Sequence, residues 1–183
     1  INAAKGPLPL SQTSQLIQDI CKGLGFAHDR GVIHCDIKVE NLMIANDGSG
    51  VITDFGGAEF LYNSPNLKDQ TGFRTPEYMS PEQVREDPLD CRSDIYSLGV
   101  AMYEMVTGEV PFNGEPEEIS WAHLSKVPKL PRKIKRRIPS WIEDAILKAL
   151  AKDPIDRFQT AQEFEASIGG RGDDADTGSY KKR

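Results

Sequence analysis

The segment VIHCDIKVENLMI, residues 32–44, places four side chains that could do chemistry close together: His34, Asp36, Lys38 and Asn41. Residues two apart in an extended segment point in the same direction, so Asp36 and Lys38 can face one site. A carboxylate, an ammonium group and a carboxamide facing one point suit a polyanionic ligand, a metal ion and a proton to be transferred. By itself this segment leaves open the alternative of a polar surface loop.

A further carboxylate, Asp54, follows a predicted β-hairpin. The apolar runs NLMIA and VITDF are separated by NDGSG, and Asp-Gly between two apolar runs indicates a hairpin. The hairpin brings Asn41, before its first strand, towards Asp54, after its second. Carboxamide and carboxylate oxygens are hard ligands that suit Mg²⁺, so the sequence predicts a metal site at this end of the hairpin.

The composition is that of one ordinary globular domain. The chain has 183 residues, of which 38% are hydrophobic and 27% charged, and its net charge is -6. The acidic balance argues against a nucleic-acid partner. We expect no membrane segment in this chain, because no apolar run approaches the roughly 20 residues of a span. Its three widely spaced cysteines predict neither a zinc site nor a disulfide framework, and they favour a cytoplasmic location.

One segment departs from the acidic balance. KVPKLPRKIKRR, residues 126–137, holds seven basic side chains. A solvated loop between helices is one interpretation, and a docking site for an acidic partner is the other.

Helical periodicity predicts the main elements. Apolar residues recur at helical spacing over residues 12–28, with Ser11 as a candidate N-cap. Residues 93–107 form a largely apolar segment closed by Gly108, which predicts a buried helix ending at a glycine. A shorter helix is expected after Pro116.

Two later helices are predicted from capping boxes, one formed by Ser140 with Glu143 and one by Thr160 with Glu163. Residues 56–92 are rich in proline and glycine and are expected to form a long irregular stretch. These elements together predict an α+β fold that is mostly α-helical, with a small β-hairpin at the site.

The motifs HxDxKxxN, DFG, TPEYMSPE and DxYSLG follow one another in this chain. In this order they resemble the C-terminal lobe of a eukaryotic-like (Hanks-type) serine/threonine protein kinase, most similar to bacterial members. The resemblance covers about residues 6–168. It implies a partial kinase catalytic domain over residues 1–168, followed by a disordered polar tail over residues 169–183.

The same resemblance leaves the nucleotide-binding N-lobe absent from the chain. There is no G-x-G-x-x-G loop and no V-A-I-K lysine, and the first residues, INAAKGPLPL, look like an interior start. We therefore expect a C-lobe fragment that is inactive alone and whose missing N-lobe is supplied in cis.

The resemblance also implies roles, in ATP-dependent transfer of a phosphoryl group to Ser or Thr hydroxyls of protein substrates. Asp36 corresponds to the catalytic base, and Lys38 neutralises charge on the transferred group. Asn41 and Asp54 hold two Mg²⁺ ions, and Thr75 hydrogen-bonds to Asp36 and Lys38. The implied catalytic set is Asp36, Lys38, Asn41 and Thr75. The implied nucleotide-binding set is Lys38, Glu40, Asn41, Met43 and Asp54, with Met43 as the floor of the adenine pocket.

Other matched positions are structural. His34 and Phe55 correspond to stacked positions of an internal spine, and Asp94 to a buried helix acid that anchors the backbone of the catalytic loop. Glu82 and Arg157 correspond to a buried ion pair far apart in sequence. With no N-lobe to cover them, Met43, Ile44 and Phe55 should leave an exposed apolar patch.

The carboxylates of Glu40, Glu77 and Glu104 match positions that face Arg residues of the substrate in basophilic kinases. The same acids are common in kinases with other preferences, so a basic substrate is one of two open alternatives.

The chain departs from the family at Cys35, where an arginine usually grips a phosphorylated activation loop. Cysteine cannot bind phosphate in this way. The resemblance is therefore to kinases whose activity depends little on loop phosphorylation, for which Thr71 is the matching site.

Two other functions compete with a protein kinase. A catalytically inactive pseudokinase or scaffold has no physical need of Asp36, Lys38, Asn41 and Asp54 together. A small-molecule phosphotransferase shares the His-x-Asp arrangement, but TPEYMSPE resembles a peptide-docking loop and disfavours it.

Overall fold

The computed structural model describes residues 8–60 and 75–169. In these residues most of the chain is helical, and four short strands form two small antiparallel sheets. The helices are α1 (Leu10–His28), α2 (Pro81–Arg85), α3 (Cys91–Thr107), α4 (Pro116–Ser125), α5 (Pro131–Ile134), α6 (Ser140–Ala149) and α7 (Ala161–Ile168). The strands are β1 (Val32–Ile33), β2 (Leu42–Ile44), β3 (Gly50–Ile52) and β4 (Glu59–Phe60). The predicted mostly helical α+β class is confirmed.

Helix α1 forms where periodicity predicts it, but its start differs. The N-cap is Pro9, whose carbonyl accepts the Thr13 N–H at 2.9 Å and the Thr13 hydroxyl at 3.3 Å. The proposed Ser11 cap is wrong: Ser11 lies inside the first turn, because the carbonyl of Pro9 already begins the ladder.

The predicted hairpin is confirmed as β2 paired antiparallel with β3, with Leu42 opposite Ile52. Outside the hairpin, β1 pairs with β4, a strand that the sequence did not predict. The irregular stretch expected over residues 56–92 also contains α2 and a 3₁₀ turn at Pro76–Tyr78. Two-residue strands and single turns are too short to leave a periodic signal.

Helix α3 is the central element of the core, with almost every side chain buried. Its first turn is capped by Asp90, whose carboxylate accepts the Arg92 N–H at 2.8 Å. It ends at Gly108, which has the left-handed φ of 89° that glycine adopts without strain. This prediction is confirmed, although the helix begins two residues earlier than expected. Helix α3 packs against α1, α6 and α7.

The two capping boxes have different outcomes. Helix α6 uses Pro139 as N-cap with no side-chain bond, so the box proposed for Ser140 and Glu143 is wrong. The Glu143 carboxylate instead accepts the N–H of Arg132 at 2.7 Å. Helix α7 keeps half of its predicted box: the Glu163 N–H donates to the Thr160 hydroxyl at 3.1 Å, but the Glu163 carboxylate accepts the N–H of Gln159 at 2.8 Å and not that of Thr160.

A buried ion pair connects the chain across 75 residues. Arg157 donates to the two carboxylate oxygens of Glu82 at 2.6 and 2.8 Å, and both residues are buried. The sequence prediction for this pair is confirmed. Burial raises the pKa of Glu82, but the hydrogen bonds and positive charge of Arg157 outweigh burial and hold that pKa below its ordinary value.

Three other expectations concern the surface and the ends. The basic segment 126–137 is not simply a loop, because it contains α5. No helix in residues 8–60 or 75–169 is long and apolar enough to span a membrane. The tail prediction for residues 169–183 concerns almost entirely residues outside the described part.

Candidate active site

The loop of residues 34–38, predicted to be the catalytic loop, places Asp36 and Lys38 together, as their spacing predicts. Lys38 Nζ donates to Asp36 Oδ2 at 2.7 Å and to the Thr75 hydroxyl at 3.2 Å. Both charged side chains are about one-fifth exposed, at 21% for Lys38 and 19% for Asp36. Within the described residues Thr75 forms no direct hydrogen bond to Asp36, which corrects that part of the prediction. Lys38 joins the two because its ammonium group has several donors.

The backbone of this loop is held from beneath by Asp94. Its carboxylate accepts the N–H groups of His34 at 2.8 Å and of Cys35 at 2.9 Å, and the His28 ring lies 2.8 Å from it. Cys35 has a φ of 66°, an uncommon value for a residue other than glycine. The two hydrogen bonds that these backbone N–H groups donate to the buried Asp94 carboxylate hold that conformation. The structural role predicted for Asp94 is confirmed.

Sequence reasoning missed a second anchor, the Gln83 side chain. Its Nε2 donates to the carbonyl of Cys35 at 2.8 Å, while its Oε1 accepts the Ser80 N–H at 2.9 Å. Ser80 and Gln83 form the capping box of α2. The Ser-x-x-Gln spacing is a recognisable cap signal, but only the fold shows that this amide also holds the catalytic loop. Thr71, the position predicted to match an activation-loop phosphorylation site, lies outside the described residues.

Asn41 and Asp54 lie at the same end of the hairpin. The Asn41 side-chain Nδ2 donates to the backbone carbonyl of Asp36 at 2.8 Å, and the Asn41 backbone carbonyl accepts the Thr53 N–H at 2.9 Å. Asp54 follows in an exposed, left-handed conformation (φ 64°), and its carboxylate accepts the Gly56 N–H at 3.2 Å. Within the described residues the Asn41 Oδ1 atom accepts no hydrogen bond. Free carboxamide and carboxylate oxygens fit Mg²⁺, which takes few protein ligands and fills its shell with water and phosphate oxygens.

A contact with α1 seats the hairpin, and the sequence did not predict it. Asp19 Oδ2 accepts the Gly50 N–H at 3.1 Å. A Cβ at Gly50 would lie 2.7 Å from Leu16 Cδ1 and 3.0 Å from the Leu16 carbonyl oxygen, so a larger residue would require the hairpin and α1 to adjust. Burial raises the pKa of Asp19, but hydrogen bonds from Gly50, Gln15 and Lys22 outweigh burial and lower it overall.

The apolar positions of the site are open on one side. The ring centroids of His34 and Phe55 are 4.5 Å apart, so the two residues are in contact as predicted, but their ring planes are tilted by 56° and are not stacked. Met43, Ile44 and Phe55 are exposed by 49%, 45% and 41%. The predicted exposure of these three apolar side chains is therefore confirmed, and they lie on the hairpin and the turn that carry Asn41 and Asp54.

Three carboxylates lie near Tyr78. The Tyr78 hydroxyl donates to the Glu104 carboxylate. Burial raises the pKa of Glu104, and the charges of Glu40 and Glu77 raise it further against the lowering effect of the Tyr78 hydrogen bond. Burial and the charges of Glu104 and Glu40 likewise raise the pKa of Tyr78. The fold thus brings three carboxylates that are far apart in sequence together around Tyr78.

Comparison with known proteins agrees with this geometry. The protein kinase domain family model matches residues 1–167. The serine/threonine-protein kinase PknB of Mycobacterium leprae is 39% identical over 165 residues, which are 89% of this chain and 26% of the relative. PknB of Mycobacterium tuberculosis H37Rv is 39% identical over 167 residues, 90% of this chain and 27% of the relative. The probable PknB of Corynebacterium glutamicum is 39% identical over 165 residues, covering 86% and 26%. The chain spans about a quarter of the length of these relatives.

Proposed function

Since this chain belongs to the protein kinase family, we propose that its protein transfers the γ-phosphoryl group of ATP to Ser or Thr hydroxyls of protein substrates. We further propose that residues 1–168 form the C-terminal lobe of the catalytic domain. One observation carries the proposal: Lys38 Nζ lies 2.7 Å from Asp36 Oδ2 and 3.2 Å from the Thr75 hydroxyl. Within the described residues this geometry joins a proton acceptor, a cation and a peptide-docking residue.

Asp36 acts as the base. Its carboxylate accepts the proton of the substrate hydroxyl as that oxygen bonds to the γ-phosphorus and the bond from phosphorus to the β–γ bridging oxygen breaks. The hydrogen bond from Lys38 and the Asn41 bond to the Asp36 backbone orient the carboxylate. Positioning of this kind supplies much of the catalysis in phosphoryl transfer, where the protein has little covalent chemistry to do.

Lys38 supplies countercharge to the transferred group, and Thr75 ties the substrate-docking loop to the base through the shared ammonium group. Asn41 and Asp54 would hold two Mg²⁺ ions, and these ions would neutralise phosphate charge. Glu40 and the exposed Met43 complete the nucleotide-facing set, with Met43 beneath the adenine.

The test is a transfer assay on the protein at its natural length, with ATP, Mg²⁺ and a generic protein substrate, followed by identification of the phosphorylated residues. Asp36→Asn should lower kcat by about 10²–10⁴. Asp144→Asn is the matched control, because Asp144 is exposed and forms no hydrogen bond or ion pair within the described residues. No transfer by wild type would favour a pseudokinase, and transfer to small molecules alone would favour the other rival.

A second proposal concerns substrate choice. Burial raises the pKa of Glu104, and the negative charges of Glu40 and Glu77 raise it further. A cationic substrate side chain beside these carboxylates would offset their repulsion. We expect a peptide with Arg upstream of the phosphorylated residue to have a lower KM than its Ala counterpart. Glu77→Gln should reduce that difference; equal KM values for both peptides with wild type would reject the preference.

A further inference from the structure

A surface groove that shares no residue with the candidate active site is lined by basic side chains. We call it the basic groove; it has a volume of about 470 Å³ and is lined by Leu130, Arg132, Lys133, Arg136 and Glu143. It lies where α5 packs against α6. None of its lining residues contributes to the site described above.

The basic side chains at the groove form no ion pair with a described carboxylate. Among the described residues, no Asp or Glu carboxylate lies within 4.0 Å of any basic group of residues 126–137. All of these basic side chains except that of Lys135 are exposed. Because the chain as a whole carries -6 although this segment holds seven positive side chains, charge is separated over the surface.

The one acid in the basic groove has a structural task. Glu143 accepts the backbone N–H of Arg132 at 2.7 Å and so joins α6 to the first turn of α5. This bond fixes the direction of α5, which carries two of the cations. The groove is therefore a shaped feature held by a specific contact, unlike a row of charges on a loop.

We propose that the basic groove binds an acidic segment of a partner protein. Three cations on a concave surface match carboxylates spaced along an extended peptide, and Leu130, 38% exposed, offers contact to an apolar side chain between them. A bilayer presents a plane, which cannot enter a concavity, so the shape favours a peptide over an anionic membrane.

The proposal does not depend on catalysis, and its test uses the protein at its natural length without ATP. The probe is a fluorescently labelled peptide of alternating Glu and Leu, titrated by anisotropy at about 0.15 M salt. Arg132→Glu with Arg136→Glu should weaken binding by about tenfold or more. Lys129→Glu with Arg137→Glu makes the same change in net charge with exposed side chains outside the groove, and it should weaken binding less than about threefold.

A third variant tests the groove in the opposite direction. Glu143→Gln removes the negative charge but keeps an oxygen that can accept the Arg132 N–H. It should strengthen peptide binding by about threefold. If the double reversal fails to fold, as judged by circular dichroism, Arg132→Gln with Arg136→Gln replaces it with the same expected direction.

Three results would overturn the proposal. One is the absence of saturable peptide binding by wild type. Another is an equal loss of peptide affinity in the groove and control variants, which would mean that the peptide binds through net charge alone. The third is binding to phosphatidylserine vesicles with none to the peptide, which would identify a membrane surface.

Discussion

Two ion pairs in this molecule have similar distances but differ in burial and in the role we assign to them. Lys38 and Asp36 are 2.7 Å apart and about one-fifth exposed. Arg157 and Glu82 are 2.6 Å apart, with side chains exposed by 0% and 6%. The first pair opens towards the proposed substrate and metal positions, whereas the second lies inside the helical core. A short distance alone therefore says little about what a charge pair does.

The difference lies in how the remaining hydrogen-bonding capacity is used. All five N–H donors of Arg157 have acceptors: both Glu82 oxygens and the carbonyls of Ala151, Arg92 and Lys152. The Ser93 hydroxyl also donates to Glu82. Such a saturated pair can only hold structure, while Lys38 and Asp36 keep capacity for a ligand.

The largest effect is expected from breaking the buried pair. Arg157→Ala strands the Glu82 carboxylate and should lower the free energy of unfolding by about 3–5 kcal/mol, measured by denaturant titration. The matched control is Arg85→Ala, which breaks an exposed Arg–Asp pair also 2.6 Å long, with side chains 43% and 47% exposed; it should cost less than about 1 kcal/mol. Equal losses of unfolding free energy in the two variants would show that burial does not determine how much each pair contributes to stability.

A pH effect should come from the same buried region. His123 is fully buried, its ring nitrogens within 2.9 Å of the Tyr96 hydroxyl and 3.1 Å of the Glu77 carbonyl. Burial, with the charge of Lys152, lowers its pKa to about 4. The unfolded chain, with a pKa near 6.5, therefore binds the proton first as pH falls, so stability is lost between about pH 6.5 and 4.

The loss over that window should reach about 3 kcal/mol, at about 1.4 kcal/mol per pH unit. His123→Gln should flatten the dependence when unfolding free energies are measured across this range. An unchanged slope would mean that other groups cause the acid sensitivity.

Close helix packing gives a smaller effect. A Cβ at Gly99 in α3 would lie 2.7 Å from the Cβ of Ala149 in α6, so Gly99→Ala should cost about 1–3 kcal/mol through overpacking. Gly23→Ala is the control: its Cβ would meet Ile52 at an ordinary 3.6 Å, and it should stabilise α1 by about 0.5–1 kcal/mol. The melting temperatures of the two variants, compared with wild type, test this prediction. A shift of the melting temperature in the same direction for both variants would contradict the packing explanation.

The smallest change in stability is expected at the site itself. Lys38→Ala should alter the free energy of unfolding by less than about 1 kcal/mol, because Asp36 is partly open to solvent and can be hydrated once the lysine is removed. Phosphoryl transfer should nevertheless fall by about 10²–10³ as countercharge is lost. A loss of stability comparable with that of Arg157→Ala would remove the contrast between the two pairs.

Much of the site could be predicted from residue spacing and motif order. The two-residue spacing predicted that Asp36 and Lys38 face one side, and Asp-Gly between apolar runs predicted the hairpin. Helical periodicity ending at Gly108 predicted α3. Matching residues to a family pattern added Asp94 and the Glu82–Arg157 pair, which no local pattern could supply. These features succeed because they depend on residue type and short-range geometry, or on a motif order that is specific.

What the sequence by itself determined is the set of polar residues proposed to react and most of the elements that carry them. Only the tertiary structure decided which polar groups hold those elements together: Gln83 on the carbonyl of Cys35, Asp19 on the N–H of Gly50, and Glu143 on α5 instead of its own helix cap. The physical reason is that a side-chain donor or acceptor has several partners of nearly equal energy within reach. Long-range packing chooses among them, and no pattern along the chain records that choice.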